Sequence, residues 1–173
     1  MNEARLSNVQ MTTVVVLRVL IGWHFLYEGL SKLTAEGWSA QGFLMQSRGP
    51  FTELFRWMAA DQERLALVNQ LNMWGLTLVG LGLVFGCFTR LASASGMLVV
   101  FMYYMCNPPF VGYFYSIPTE GSYLIVNKNL VELAALAVIF VTGSGRAAGL
   151  DRIIHRLLQK REANAGVPGG NDP

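Results

Sequence analysis

The chain has 173 residues, of which 53% are hydrophobic and 14% charged, and its mean hydropathy is +0.38. That is too apolar for a soluble domain of this size, so a membrane protein is the class to test. A formal net charge of +2 gives no cause to look for a nucleic-acid partner.

A membrane-spanning helix needs about 20 mostly apolar residues, and four segments come close, at about 11–33, 71–88, 91–106 and 123–142. The expected fold is therefore all-α, an integral membrane four-helix bundle. It forms a single transmembrane domain over residues 1–158, with a disordered tail over 159–173. The first segment holds LRVLIGWHFLYEGLSKL, Leu17 to Leu33, with Arg18, His24, Glu28 and Lys32 inside it. Its apolar run is long and no small-residue cleavage site follows, so it is read as a retained span rather than a removable signal peptide.

The loop over 34–70 contains PFTELFRWMAA, which sets Phe51, Leu54, Phe55 and Met58 at helical spacing with Trp57 alongside. That spacing predicts an interfacial helix at the outer surface, either capping the bundle or docking a partner. Asp61 is placed to cap a helix that rises into span two. Only CFTRLAS separates spans two and three, which makes them a tight antiparallel hairpin. Pro108 and Pro109 stop span three. In the loop NPPFVGYFYSIPTEGS, Phe110, Tyr113, Phe114 and Tyr115 read either as an interfacial aromatic belt or as a lid over a lipid-soluble ligand.

After span four, GSGRAAGLDRIIHRLLQKR predicts a turn and a basic amphipathic helix, with Ile153, Ile154, Leu157 and Leu158 on its apolar side and the anionic inner leaflet beneath it. The tail EANAGVPGGNDP is Gly/Pro-rich and reads as disordered. With both termini inside, seven Lys/Arg (Arg5, Arg90, Arg146, Arg152, Arg156, Lys160, Arg161) lie on the inner side against five (Arg48, Arg56, Arg64, Lys32, Lys128) on the outer. The expected arrangement is N-in/C-in, multi-pass, in the cell (inner) membrane.

At about 100° per residue, Arg18, His24, Glu28 and Lys32 fall within an arc of about 120° on the first helix. A charge at the bilayer centre costs about 2.5–3.5 kcal/mol on insertion scales, so this face must turn inward against something polar. Span four supplies it in VNKNLVELAAL, where Lys128 and Glu132 are i,i+4. Because spans one and four run antiparallel, Lys128 is expected near the depth of Glu28, and Glu132 near that of His24. Asn127, Asn129 and Asn72 are possible additions to the cluster. Arg18 stands apart, nearer the inner side, where it either snorkels or meets a carbonyl. The cluster either carries function or fixes helix register as a buried ion network.

Common cofactor chemistries find no support in the sequence. A membrane haem needs two axial histidines inside the bundle, and His155 falls in the tail. Cys87 and Cys106 lie near opposite membrane faces and are not expected to bridge. No spacing suggests zinc, an iron–sulfur cluster or a flavin, and no metal-ligating residues are expected. The G-x-G of GSGRAAG follows a membrane helix rather than a strand, so it reads as a helix-ending turn instead of a nucleotide fingerprint.

The chain resembles the DoxX family of small four-helix membrane proteins, which includes DoxD, the small subunit of thiosulfate:quinone oxidoreductase. Three motifs carry the resemblance, spread from about Leu17 to Ile154: Arg18, Gly22, Gly29 and Lys32 in the first span, Gly86, Thr89 and Arg90 at the end of the second, and Gly143, Gly145, Arg146 and Asp151 after the fourth. Many family members carry a Glu early in span two, where this chain has Leu76, so Glu28 or Glu132 would have to take any role of that carboxylate.

The resemblance implies a redox-complex subunit that binds quinone as a diffusible substrate, or passes electrons to it from a separate electron-donating subunit. In that reading Glu28, His24 and Glu132 are the proton-handling residues and Lys32 or Lys128 steadies a developing quinolate oxygen. Trp23, Tyr27 and Trp74 would flank the headgroup, or else are ordinary packing aromatics. The alternatives are a non-catalytic membrane anchor or assembly protein, and a small proton-coupled carrier.

Overall fold

A computed structural model describes residues 7–110, 112–115, 124–146, 148–152 and 156–157. Among them the elements are helical: α1 (Asn8–Thr34), α2 (Gln41–Met45), α3 (Thr52–Ala60), α4 (Gln62–Phe85), α5 (Thr89–Cys106) and α6 (Lys128–Thr142), with a 3-10 turn at Ser144–Arg146. The two longest, α1 and α4, are long and apolar enough to cross a membrane.

Caps set the boundaries. Ser7 and Gln10 form a reciprocal capping box at the start of α1. The Asp61 carboxylate accepts the backbone N–H groups of Glu63 (3.1 Å) and Arg64 (3.0 Å), so α4 begins at Gln62, nine residues ahead of the apolar run that marked the span. Gly86, at φ +64°, ends it in the left-handed conformation that favours glycine. The Asn127 side chain accepts the Leu130 N–H at 3.1 Å, which starts α6 at Lys128 rather than near residue 123. Tyr123 is outside the described residues, as are Ile153, Ile154, His155, Leu158 and the tail over 159–173.

The tightest packing joins α1 to α4. A Cβ on Gly22 would stand 2.8 Å from the Leu83 Cβ and the Val84 nitrogen, one on Gly29 would run into Thr77, and one on Gly80 into the Leu26 backbone. Small residues here let two backbones approach closely, which is how helices associate where apolar burial offers no drive. The α5 helix packs against α4 and α6, and α6 returns to α1. Phe25, Leu76, Val79, Leu83, Val100, Leu136 and Ile139 form the core among these four helices.

A second cluster lies at the end that carries α2 and α3. Phe55 and Ala59 turn inward there with Leu44, Leu65 and Cys106, and Met58 packs beside them. Phe51, Leu54 and Trp57 face outward, so the apolar residues of α3 split between two faces instead of sharing one. Arg64 lies over the Trp57 ring at 4.0 Å. The loop is tied down by polar bonds. The Ser47 hydroxyl donates to the Cys106 carbonyl (2.8 Å), the Asn107 amide to the Phe43 carbonyl (3.2 Å), and the Ala40 N–H to the Asn69 side chain (2.9 Å).

The opposite end is held by a different knot. The buried Arg18 guanidinium donates to the Ala148 carbonyl at 2.7 Å. The Asp151 carboxylate accepts the N–H groups of Phe88 (2.6 Å) and Thr89 (3.0 Å) at the start of α5, and its own N–H donates to the Gly86 carbonyl (2.9 Å). Gly145 fits against Thr89 and Asp151, and Gly149 against Gly86, where a Cβ would collide. Arg18 therefore meets a carbonyl. Both thiols are free, Cys87 just before α5 and Cys106 at its far end.

Candidate functional site

The charged face of α1 turns inward because its neighbours leave it a polar space. A cavity of about 710 Å³ lies toward the α2–α3 end and is lined by residues of all six helices. His24, Glu28 and Lys32 reach it from α1 at successive i,i+4 steps, Asn72 from α4, Tyr103 from α5, and Lys128, Asn129 and Glu132 from α6. Its remaining wall is mostly apolar, with Phe25, Trp38, Phe43, Phe55, Leu76 and Val100 among the larger contributors. A cavity of a few hundred cubic ångströms with apolar walls and a few convergent polar groups is the usual form of a small-molecule site.

Two contacts organise the polar part. His24 Nε2 lies 3.1 Å from Glu132 Oε1, bridging α1 and α6. Lys32 Nζ donates to Glu28 Oε2 at 2.9 Å along α1. The Lys32 ammonium is also 5.6 Å from the Trp38 ring centre and 6.0 Å from that of Tyr103, within range of cation–π attraction. Lys128 shares the cavity and interacts electrostatically with both Glu28 and Glu132. The α1–α6 pairing thus has Glu132 at the depth of His24 and Lys128 beside Glu28. Asn127 is occupied as the α6 cap, and Asn129 and Asn72 line the space.

Other residues singled out in the sequence lie elsewhere. Trp23, Tyr27 and Trp74 are exposed on the outside of α1 and α4 and line no part of the cavity. Trp23 and Tyr27 precede the cavity residues His24 and Glu28 in sequence, but one step along a helix is a rotation of about 100°. Arg18 belongs to the knot at the far end. Phe110, Tyr113, Phe114 and Tyr115 do not close the cavity; Phe110 stacks near Tyr113 at 6.0 Å and Tyr115 donates to the Pro108 carbonyl at 2.7 Å. Leu76 is a buried residue of the cavity wall.

Tyr103 and Trp38 were not apparent from the sequence. The Tyr103 hydroxyl receives a hydrogen bond from the Asn72 amide, so its own proton is available to an acceptor in the cavity. Asn72 Oδ1 is buried with no hydrogen-bond partner among the described residues. A polar atom left in that condition costs free energy until something supplies a donor. Among the described residues no group of three His, Cys, Asp or Glu side chains is placed to hold a metal ion.

The family model for DoxX matches residues 13–106, which take in α1 to α5 and more than half of the chain. The chain belongs to the DoxX family, and with its apolar helices α1 and α4 this marks a membrane protein. The match stops before α6, so Lys128 and Glu132 lie beyond it. No curated protein and no solved structure matches the chain.

Proposed function

We propose that this DoxX protein is the integral membrane subunit of a redox assembly and that its cavity receives a quinone. In this reading α1, α4, α5 and α6 all cross the cell membrane as one domain, with both termini inside and α2–α3 on the outer side. The observation that carries the proposal is the cavity itself: apolar walls around two carboxylates, two lysines, an imidazole and a phenol, Glu28, Glu132, Lys32, Lys128, His24 and Tyr103.

Quinone reduction adds two electrons and two protons to give the quinol. The electrons come from a separate donor subunit that carries its own redox cofactor. His24, held by Glu132, and Glu28 pass the protons, while Lys128 and Lys32 stabilise negative charge that develops on the quinone oxygen. Phe25, Trp38 and Phe43 serve as aromatic walls in place of Trp23, Tyr27 and Trp74.

Gentle co-purification from native membranes, with identification of the accompanying proteins and the extracted quinone, tests the proposal. A donor subunit and bound quinone are expected, and Glu28→Gln in the assembled complex should lower turnover by about 100-fold to 10 000-fold. Unchanged turnover in an intact variant complex would overturn the catalytic role. It would favour a second reading, a membrane anchor or assembly protein. One observation supports that reading: Arg18, Gly86, Thr89, Gly145 and Asp151, which carry much of the family resemblance, gather in the structural knot away from the cavity.

A further inference from the structure

Gly75 and Gly82 stand seven residues apart on α4 and therefore on the same face, the one turned toward α5. A Cβ on Gly82 would lie 3.0 Å from the Ala92 Cβ, whereas a Cβ on Gly75 would meet no atom within 4 Å. About 10 Å of helix axis therefore separates a position closed by α5 from one with open space beside it. The closed position lies next to the hairpin at Gly86, and the open one lies in sequence between the cavity-lining residues Leu71, Asn72 and Leu76 of α4.

The lips of that opening are unusual. Leu71 on α4 and Leu98 on α5 are 65% and 60% exposed on the outside of the molecule, yet both also line the cavity. Leu71 belongs to the outward stripe that includes Leu67, Trp74 and Leu78, and Leu98 to the one with Leu91. The wall between cavity and surroundings is thus a single side chain thick at these points. Val79 beside Gly96 and Asn72 bonded to Tyr103 fix one antiparallel register, in which Leu98 stands level with Thr77. The two lips are then separated by about six residues, or roughly 9 Å, along the axis.

We infer that a quinone with a long apolar tail reaches the cavity sideways from the bilayer, through a slot between α4 and α5 bounded by Leu71 and Leu98, with Gly75 as its notch. The inference rests on the quinone reading. The head group passes the Asn72–Tyr103 pair to reach the charged cluster, and the tail stays between the lips in contact with lipid. A slot lined by Leu71, Gly75 and Leu98 suits a hydrocarbon chain and offers nothing to a polar solute.

The test is binding of two quinones, one with a long isoprenoid tail and one with a methyl group in its place, to the full chain in nanodiscs. Gly75→Leu and Leu98→Trp, which add bulk in open space, are compared with wild type and with Leu78→Trp, on the outward stripe but outside the cavity lining. The expected result is a loss of tenfold or more in affinity for the long-tailed quinone with both slot variants. The short-tailed quinone should change less than twofold, and Leu78→Trp should alter neither. Equal weakening of both quinones, or no change in either, overturns lateral access while leaving the quinone site standing. Failure of wild type to bind either one overturns the quinone reading and this inference with it.

Discussion

His24 Nε2 and Glu132 Oε1 meet at 3.1 Å across the α1–α6 interface. The two residues are remote in sequence, so this contact both sets the relative depth of two helices and creates a polar pole in an apolar space. Glu132→Gln separates these effects, because the amide keeps the shape and an acceptor oxygen while losing the charge. The variant should keep its Tm within a few degrees and lose at least about tenfold in quinone turnover. Thermal unfolding in detergent, run beside turnover per assembled complex, reads both. A large fall in Tm with unchanged turnover would assign the pair to helix register alone.

The glycine contacts predict opposite signs for one substitution at two positions on α4. Gly80→Ala drives a methyl into the Leu26 backbone and should cost about 1–3 kcal/mol. Gly75→Ala meets no neighbour within 4 Å and should be neutral or stabilise by up to about 1 kcal/mol through helix propensity. Unfolding midpoints of the two variants check the ordering.

Arg18 donates to the Ala148 carbonyl in the knot that joins α1 to the segment after α6. Arg18→Ala should destabilise the protein by about 1.5–3 kcal/mol, the usual worth of a hydrogen bond made by a charged group. Quinone affinity should be unchanged, since the knot and the cavity are at different ends. Parallel unfolding and binding measurements on the same preparation test both statements.

Asp61 caps α4 outside the spans, and the Arg64 N–H bond, helped by the Arg64 charge and the Glu63 N–H, holds its carboxyl below the usual range. A depressed folded-state value means that the cap stabilises fully above the unfolded value of about 3.9. That contribution is lost as pH falls through the folded value. Asp61→Ala should therefore unfold at a lower temperature than wild type at pH 7, and the gap should narrow below about pH 4. Thermal scans of the two proteins across that range give the difference directly.

Much of the site could be read from α1. Four ionisable groups on one arc of an apolar helix demand a polar partner, and Lys128 and Glu132, at matching spacing on an antiparallel helix, were the available one. The caps were legible for the same local reason, as with Asp61. Tyr103 was not, because a tyrosine at an apolar helix end carries no periodic signal and its partner Asn72 is brought to it by packing of α4 on α5. Trp38 sits in a loop whose path depends on Ser47, Asn69 and Asn107 contacts far along the chain. Trp23, Tyr27 and Trp74 are exposed because their positions on α1 and α4 fall on other helix faces than the residues that line the cavity.

In the proposed reading the cavity, and not the exposed aromatic surface, holds a quinone. Titration of a short-tailed quinone into the purified protein in nanodiscs, followed by calorimetry, tests it most directly. Wild type should bind saturably, Lys128→Ala combined with Glu28→Gln should weaken binding by at least about tenfold, and Trp23→Leu with Trp74→Leu should leave it unchanged. Absence of saturable binding, or a larger loss from the tryptophan pair than from the cavity pair, would contradict the account.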